Sequence, residues 1–290
     1  MISSVEIRDG ILLALDSIKS NKFRAGLTIL GVLIGVATLA SARRSAGRVI
    51  APIGVRQWLG LMVVAVLGGA LAFALFFEGL ARATSTQSAF IHKTLVLWVG
   101  ILAVGILRER VRALHVAAIA LLIVGQFVLI GGIGEVSFGV GELLVLAATL
   151  LWSIEIIVAK RLLTEMTPLT VGVARMAGGA VVLIAYGIAS GGFAAVGAVH
   201  ASQIGWVVVT GAALAAYVGV WYAALAMAPA IDVTAILVGG AVITAVLRSV
   251  VTGAPLGSPL GLALIIVGTS AAILAARRAS DRRPLAVEPR

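Results

Sequence analysis

The chain contains no cysteine. Disulfides, thiolate metal sites and a cysteine nucleophile are therefore excluded. Charge is also scarce: 12% of its 290 residues are Asp, Glu, Lys or Arg, about half the share in a soluble domain. Histidine occurs three times, as His92, His115 and His200, with no metal-ligand spacing. His92, beside Lys93, could carry a proton, but a lone histidine is more often a packing or interface residue. There is no Gly-rich phosphate loop of Walker type, so the chain does not itself hydrolyse a nucleotide. No His-Glu-x-x-His run and no convincing Ser-His-Asp grouping occurs. No catalytic residue, metal or cofactor is expected, and the chain reads as a non-enzyme. The formal net charge is +10, but the basic residues lie in loops and tails without interleaved aromatics. Nucleic-acid binding is rejected on that ground.

What fills the chain is apolar. Hydrophobic residues make up 61% of it. Residues 58–133 read as three spans with two short turns, each span near the roughly 20 apolar residues that cross a bilayer core. A globular core helix carries a polar face, and these do not. The unit recurs over residues 206–276. Phe76-Phe77 and Trp221-Tyr222 fall at matching places, as do Leu121–Gly125 (LLIVG) and Leu264–Gly268 (LIIVG). Spans at 25–40, 140–159 and 170–190 bring the expected total to about nine. The fold class is an all-α membrane protein in two inverted repeats, the first one helix short. Duplicated halves of this kind build transporters. Gly257 and Gly261 have the spacing of close helix contacts, as do Gly31 and Gly35, although glycine is also simply frequent in membrane helices.

The Lys and Arg pattern sets an orientation. The loop 41–56, the turn Arg108–Arg112, the pair Lys160-Arg161 and the tail 277–283 are basic and share one side if each span crosses once. That side is cytoplasmic, and the carboxyl terminus with it. Residues 1–24 break the rule, because they are basic yet stand one span from an equally basic loop. They have the pattern of an amphipathic surface helix. The expected division is 1–42, surface helix plus a short span; 43–139, an incomplete first repeat; 140–278, the second repeat; and 279–290, a disordered cytoplasmic tail.

Residues 43–278 resemble the EamA-like family of the drug/metabolite transporter superfamily. The doubled unit, the run Phe73-Ala-Leu-Phe-Phe77 and Leu107-Arg108-Glu109-Arg110 carry the resemblance. The last looks like that family's Gly-Glu-Arg ending of its fourth helix, with Arg108 in place of the glycine. The second copy, Thr252-Gly253-Ala254, lacks the acid. The resemblance implies ten helices as two inverted five-helix repeats, both termini cytoplasmic, and gradient-driven transport. Residues 11–38 resemble instead the opening of macrolide-exporter-type ABC permeases, through Ser20-Asn-Lys-x-Arg24, Leu27-Thr28 and Gly31 to Val36. The chain then reads as a junction of two families.

Ionisable residues within spans are functional candidates. Glu78 and Lys93 flank one turn and are a candidate gating pair, the alternative being interfacial and snorkelling side chains. Glu155 and Arg175 flank the turn after Lys160, as a second gating pair or as a structural ion pair locking the hairpin. Phe73, Phe76, Phe77, Trp98, Tyr217, Trp221 and Tyr222 come from matching helices and are candidates to line a substrate site. They serve equally as packing or lipid-facing aromatics. The function expected is secondary transport of small organic metabolites or drugs, as an exporter in the cytoplasmic membrane of a prokaryote. Protons are a candidate coupling ion, the bilayer is the surrounding partner, and a homodimer is compatible. The alternative is a truncated or chimeric component needing a partner chain.

Overall fold

The computed structural model describes residues 49–129, 131, 139–189, 201–253 and 255–280. The expected surface helix and first span, the permease-like stretch at 11–38 and His200 lie outside these residues. So do Gly31, Gly35 and the tail from 281 on.

Eight helices run through the described residues: α1 Val55–Leu80, α2 Thr86–Leu107 and α3 Ala113–Leu129, then α4 Val140–Leu162 and α5 Pro168–Ala189. They are followed by α6 Ala201–Met227, α7 Ala230–Thr252 and α8 Pro259–Ser280. They fall where the eight later of the expected nine spans were read. Seven contain a segment long and apolar enough to cross a membrane, and α3 is apolar but shorter. In hydrocarbon each backbone polar group must be satisfied within its own segment, which is why long apolar runs form helices there. The chain is a multi-pass membrane protein. Local chemistry sets the ends. Glu142 reaches back from the first turn of α4 to the Gly139 N–H at 2.9 Å. Thr167 accepts from the Thr170 N–H at 3.2 Å, with Pro168 at the first position of α5. Both are N-terminal capping arrangements.

Three helices are locally widened into π-turns: α1 over Val64–Leu71, α2 over Ala103–Leu107 and α5 over Ala174–Gly178. Such turns are rare and concentrate at functional sites. The one in α1 shifts the hydrogen-bond register. The Ala72 N–H reaches back five residues to the Leu67 carbonyl. The α-helical donor to the Gly68 carbonyl is thereby spent on its neighbour.

The chain divides into two compact units, each drawing helices from both halves of the sequence. The first contains α1, the start of α2 up to His92, and α4, α5 and α6. Its core joins Val64, Ala65 and Ala72 of α1, Val145, Trp152 and Ile156 of α4, Met176 of α5, and Val218 and Tyr222 of α6. The π-turns of α1 and α5 cross where glycines allow backbone contact. A Cβ on Gly69 stands 2.1 Å from the Arg175 carbonyl oxygen and 3.0 Å from Gly179 Cα.

The second unit contains α2 from Lys93 onward, α3, α7 and α8. Its core includes Val96, Leu122, Val238 and Ile265. The two segments read as repeat counterparts face each other here. A Cβ on Gly125 meets Leu264 and Ile265, and one on Gly268 meets Leu121 and Leu122. Gly261 lies against the Leu129 backbone nitrogen, 2.6 Å from an added Cβ. Small residues are what let membrane helices approach this closely.

The turn after α2 explains part of the Leu107–Arg110 motif. Arg108 ends the helix with φ +56°, a left-handed conformation favoured by glycine. The N–H groups of Arg108 and Glu109 both reach the Ala103 carbonyl. Glu109 then turns its carboxylate onto the start of α7, accepting from the N–H of Ala230 at 2.8 Å and of Ile231 at 3.2 Å. Pro229 precedes that helix and supplies no side-chain cap, so Glu109 acts as its anionic cap from a distant turn.

Candidate functional site

The candidate site lies in the first unit, around Glu155 and Arg175. Glu155 is on the buried face of α4, three residues after Trp152, and is 1% exposed. The same face carries Thr149 and Ser153, whose hydroxyls return to their own helix carbonyls at 2.8 Å. Their protons are therefore committed, and only their lone pairs stay open to a donor. One carboxylate oxygen of Glu155 accepts from the Tyr222 hydroxyl. The other lies 4.0 Å from Arg175 Nη2.

Arg175 stands within the π-turn of α5 and is 6% exposed. Its guanidinium carbon is 5.7 Å from the ring centre of Phe73 and 6.0 Å from that of Tyr222, within range of cation–π attraction. Its Nη2 lies 3.4 Å from the Gly68 carbonyl, which also accepts the indole N–H of Trp152 at 3.1 Å. The displaced carbonyl of α1 is thus a common acceptor for α4 and α5. Arg175 Nε is buried without a hydrogen-bond partner. A buried guanidinium with one long ion pair and a free donor is costly to keep. It is also able to receive a further acceptor.

Rings surround this centre. Phe73 meets Trp152 edge-on at 5.2 Å, and Phe76 lies 5.4 Å from both Trp152 and His92. Phe77 stacks on Phe73 at 6.2 Å. Tyr217 stacks on Trp221 at 6.1 Å; Trp221 is buried and Tyr217 is 42% exposed. Glu155, Arg175, Phe73 and Tyr222 therefore form one constellation, with Phe76 and Phe77 beside it.

Other candidates lie elsewhere. Glu78 is paired with Arg82, one turn further on, and both side chains are about half exposed. Lys93 and Trp98 belong to the second unit, where the Trp98 indole N–H donates to Thr94 Oγ1 at 3.1 Å. Sequence reasoning missed Trp152, although its i, i+3 spacing from Glu155 puts both on one helix face. It also missed the Gly68 carbonyl, which no side chain announces. Lys160, read only for its charge, donates to the Leu225 carbonyl at 2.6 Å near the end of α6. In the second unit His115 Nε2 lies 3.1 Å from Asp232 Oδ1. The signal there was an acid in the first turn after Pro229. Among the described residues no group of three His, Asp or Glu side chains is placed to hold a metal ion.

The model of the EamA-like transporter family matches residues 13–131. The match begins inside the stretch likened to a permease start. No curated protein matches the sequence. Among 27 matching chains of solved structures is a crystal structure with a TM-score of 0.71 at 21% identity. The likeness covers 92% of this chain and 94% of that one. At that identity it is the fold that is shared.

Proposed function

We propose, with the EamA-like match as premise, that this chain is a secondary transporter of small organic solutes that works by alternating access between two inverted repeats. One observation carries the reading: a buried Glu155–Tyr222–Arg175 constellation, ringed by aromatics, at a widened turn of a membrane helix. Ionisable groups at such positions are expensive and mark solute or ion pathways. Locally irregular backbone within transporter helices belongs to binding sites. The face-to-face packing of the counterpart segments around Gly125 and Gly268 supports an internal repeat.

In this reading Phe73, Phe76, Phe77, Tyr217, Trp221 and Tyr222 hold the apolar part of the solute, and Glu155 and Arg175 its polar end. The chain is an exporter in the cytoplasmic membrane of a prokaryote, with its carboxyl terminus cytoplasmic. Protons are the candidate coupling ion, and a homodimer is the candidate assembly.

Flux in proteoliposomes tests this, using a fluorescent lipophilic cation and a neutral amphipathic dye. Wild type is expected to move one of them, and Glu155→Gln and Trp221→Ala to lose that movement while remaining folded. Equal flux in all three proteins removes the site assignment.

A further inference from the structure

The start of α7 holds two acids and a histidine that the candidate site does not use. Glu109 arrives from the turn after α2, Asp232 is the third residue of α7, and His115 stands in the first turn of α3. Asp232 is 1% exposed and His115 5%.

The two acids are treated differently. Glu109 has both oxygens occupied, each accepting from a backbone N–H at the start of α7. Asp232 lies in the same turn, yet neither of its oxygens has an aligned hydrogen bond. Its near neighbour is His115 Nε2, 3.1 Å from Oδ1. The opposite ring nitrogen is already committed, because His115 Nδ1 accepts the Arg112 backbone N–H at 3.1 Å. That bond fixes the tautomer: Nδ1 is bare and the ring proton sits on Nε2, facing Asp232. A second proton on the ring would break the bond to Arg112. The Asp232 carboxylate has no such bond to lose. Thr234 offers it no donor, because its hydroxyl proton is shared between the Ala230 and Ile231 carbonyls.

Among the described residues, the unit's other titratable groups are few, and Lys93, which opens its α2 segment, is one of them. The Leu95–Leu107 segment has none, α3 has only His115, and α8 has only Arg277 and Arg278, near its carboxyl end. The turn itself carries exposed Arg108, Arg110 and Arg112 beside Glu109. Besides Asp232, α7 carries Arg248, towards its opposite end.

We propose that Asp232, oriented by His115 and flanked by Glu109, is a reversible proton-binding site at the start of α7. The ligand is one proton taken from water. It converts the carboxylate to the neutral acid and removes a negative charge facing Glu109, so that Glu109 alone carries the anionic cap of α7. His115 is a positioning residue. The site uses none of the groups around Glu155 and is testable without any solute.

The test is infrared difference spectroscopy of the full chain in lipid nanodiscs, stepped in pH. A protonated-carboxyl band is expected to rise as pH falls, to vanish in Asp232→Asn and to survive in Glu155→Gln. Asp232→Glu keeps a protonatable group and is expected to shift the band in frequency, which assigns it even where the asparagine variant fails to fold. His115→Gln is expected to keep the band and move its pH midpoint. A band unchanged in both Asp232 variants, or no band in the wild type, overturns the proposal. An unmoved midpoint in His115→Gln removes the histidine from it.

Discussion

Replacing Arg175 by methionine tests whether the Glu155–Arg175 pair is an energetic unit or a coincidence of packing. The substitution keeps an unbranched apolar stem of similar reach and deletes the charge. Glu155 is then left buried at 1% exposure, with the Tyr222 hydroxyl still donating to it. At a separation of 4.0 Å, two unit charges attract by about 4 kcal/mol at an effective dielectric of about 20. Removing one partner of a buried pair typically costs about 3–5 kcal/mol, because the other charge stays behind. The two routes agree, so Arg175→Met is expected to destabilise by about 3–5 kcal/mol. That lowers the folded-to-unfolded ratio roughly a hundredfold or more. Adding Glu155→Gln removes the stranded charge. The double variant is therefore expected to be more stable than the sum of the single losses by about 2–3 kcal/mol. The assay is reversible unfolding in mixed micelles, with all four members of the cycle measured together. Additivity to within about 0.5 kcal/mol would refute the reasoning and leave Arg175 as a side chain held by Phe73 and Tyr222 rather than by Glu155.

Two further outcomes follow from the backbone. Gly69→Ala places a Cβ 2.1 Å from the Arg175 carbonyl oxygen, and neither backbone can yield locally. Thermal unfolding is expected to show a loss of at least the 1–3 kcal/mol, roughly, of an overpacked core, whereas Gly105→Ala, with nothing within 4 Å, shows no such loss. Arg108→Gly relieves a left-handed residue at φ +56°, worth about 1–2 kcal/mol, against about 0.4–1 kcal/mol of added unfolded-state entropy. A small net gain in stability is expected, and a clear loss in Arg108→Val; a loss in Arg108→Gly would show that the arginine side chain outweighs its backbone.

The sequence alone determined that this is a helical membrane protein. With 61% hydrophobic residues and 12% charged ones, the chain has no water-soluble solution, and lipid admits helices as the way to satisfy a lone segment's backbone. Seven spans among the described residues were legible, because each is a local property of about 20 residues. Glu155 and Arg175 were legible as candidates because charge inside an apolar run is conspicuous. So was the oddity of Arg108, where the resemblance called for glycine, although what it meant for the backbone was not. Only the tertiary structure decided who meets whom. Tyr222 is 67 positions from Glu155, and Glu109 is 121 from Ala230. Such pairings depend on how helices cross, and an apolar run is nearly featureless about its own azimuth. The acceptor shared by Arg175 and Trp152 is a main-chain carbonyl freed by a change of helical pitch, and no side chain at Gly68 could have advertised it.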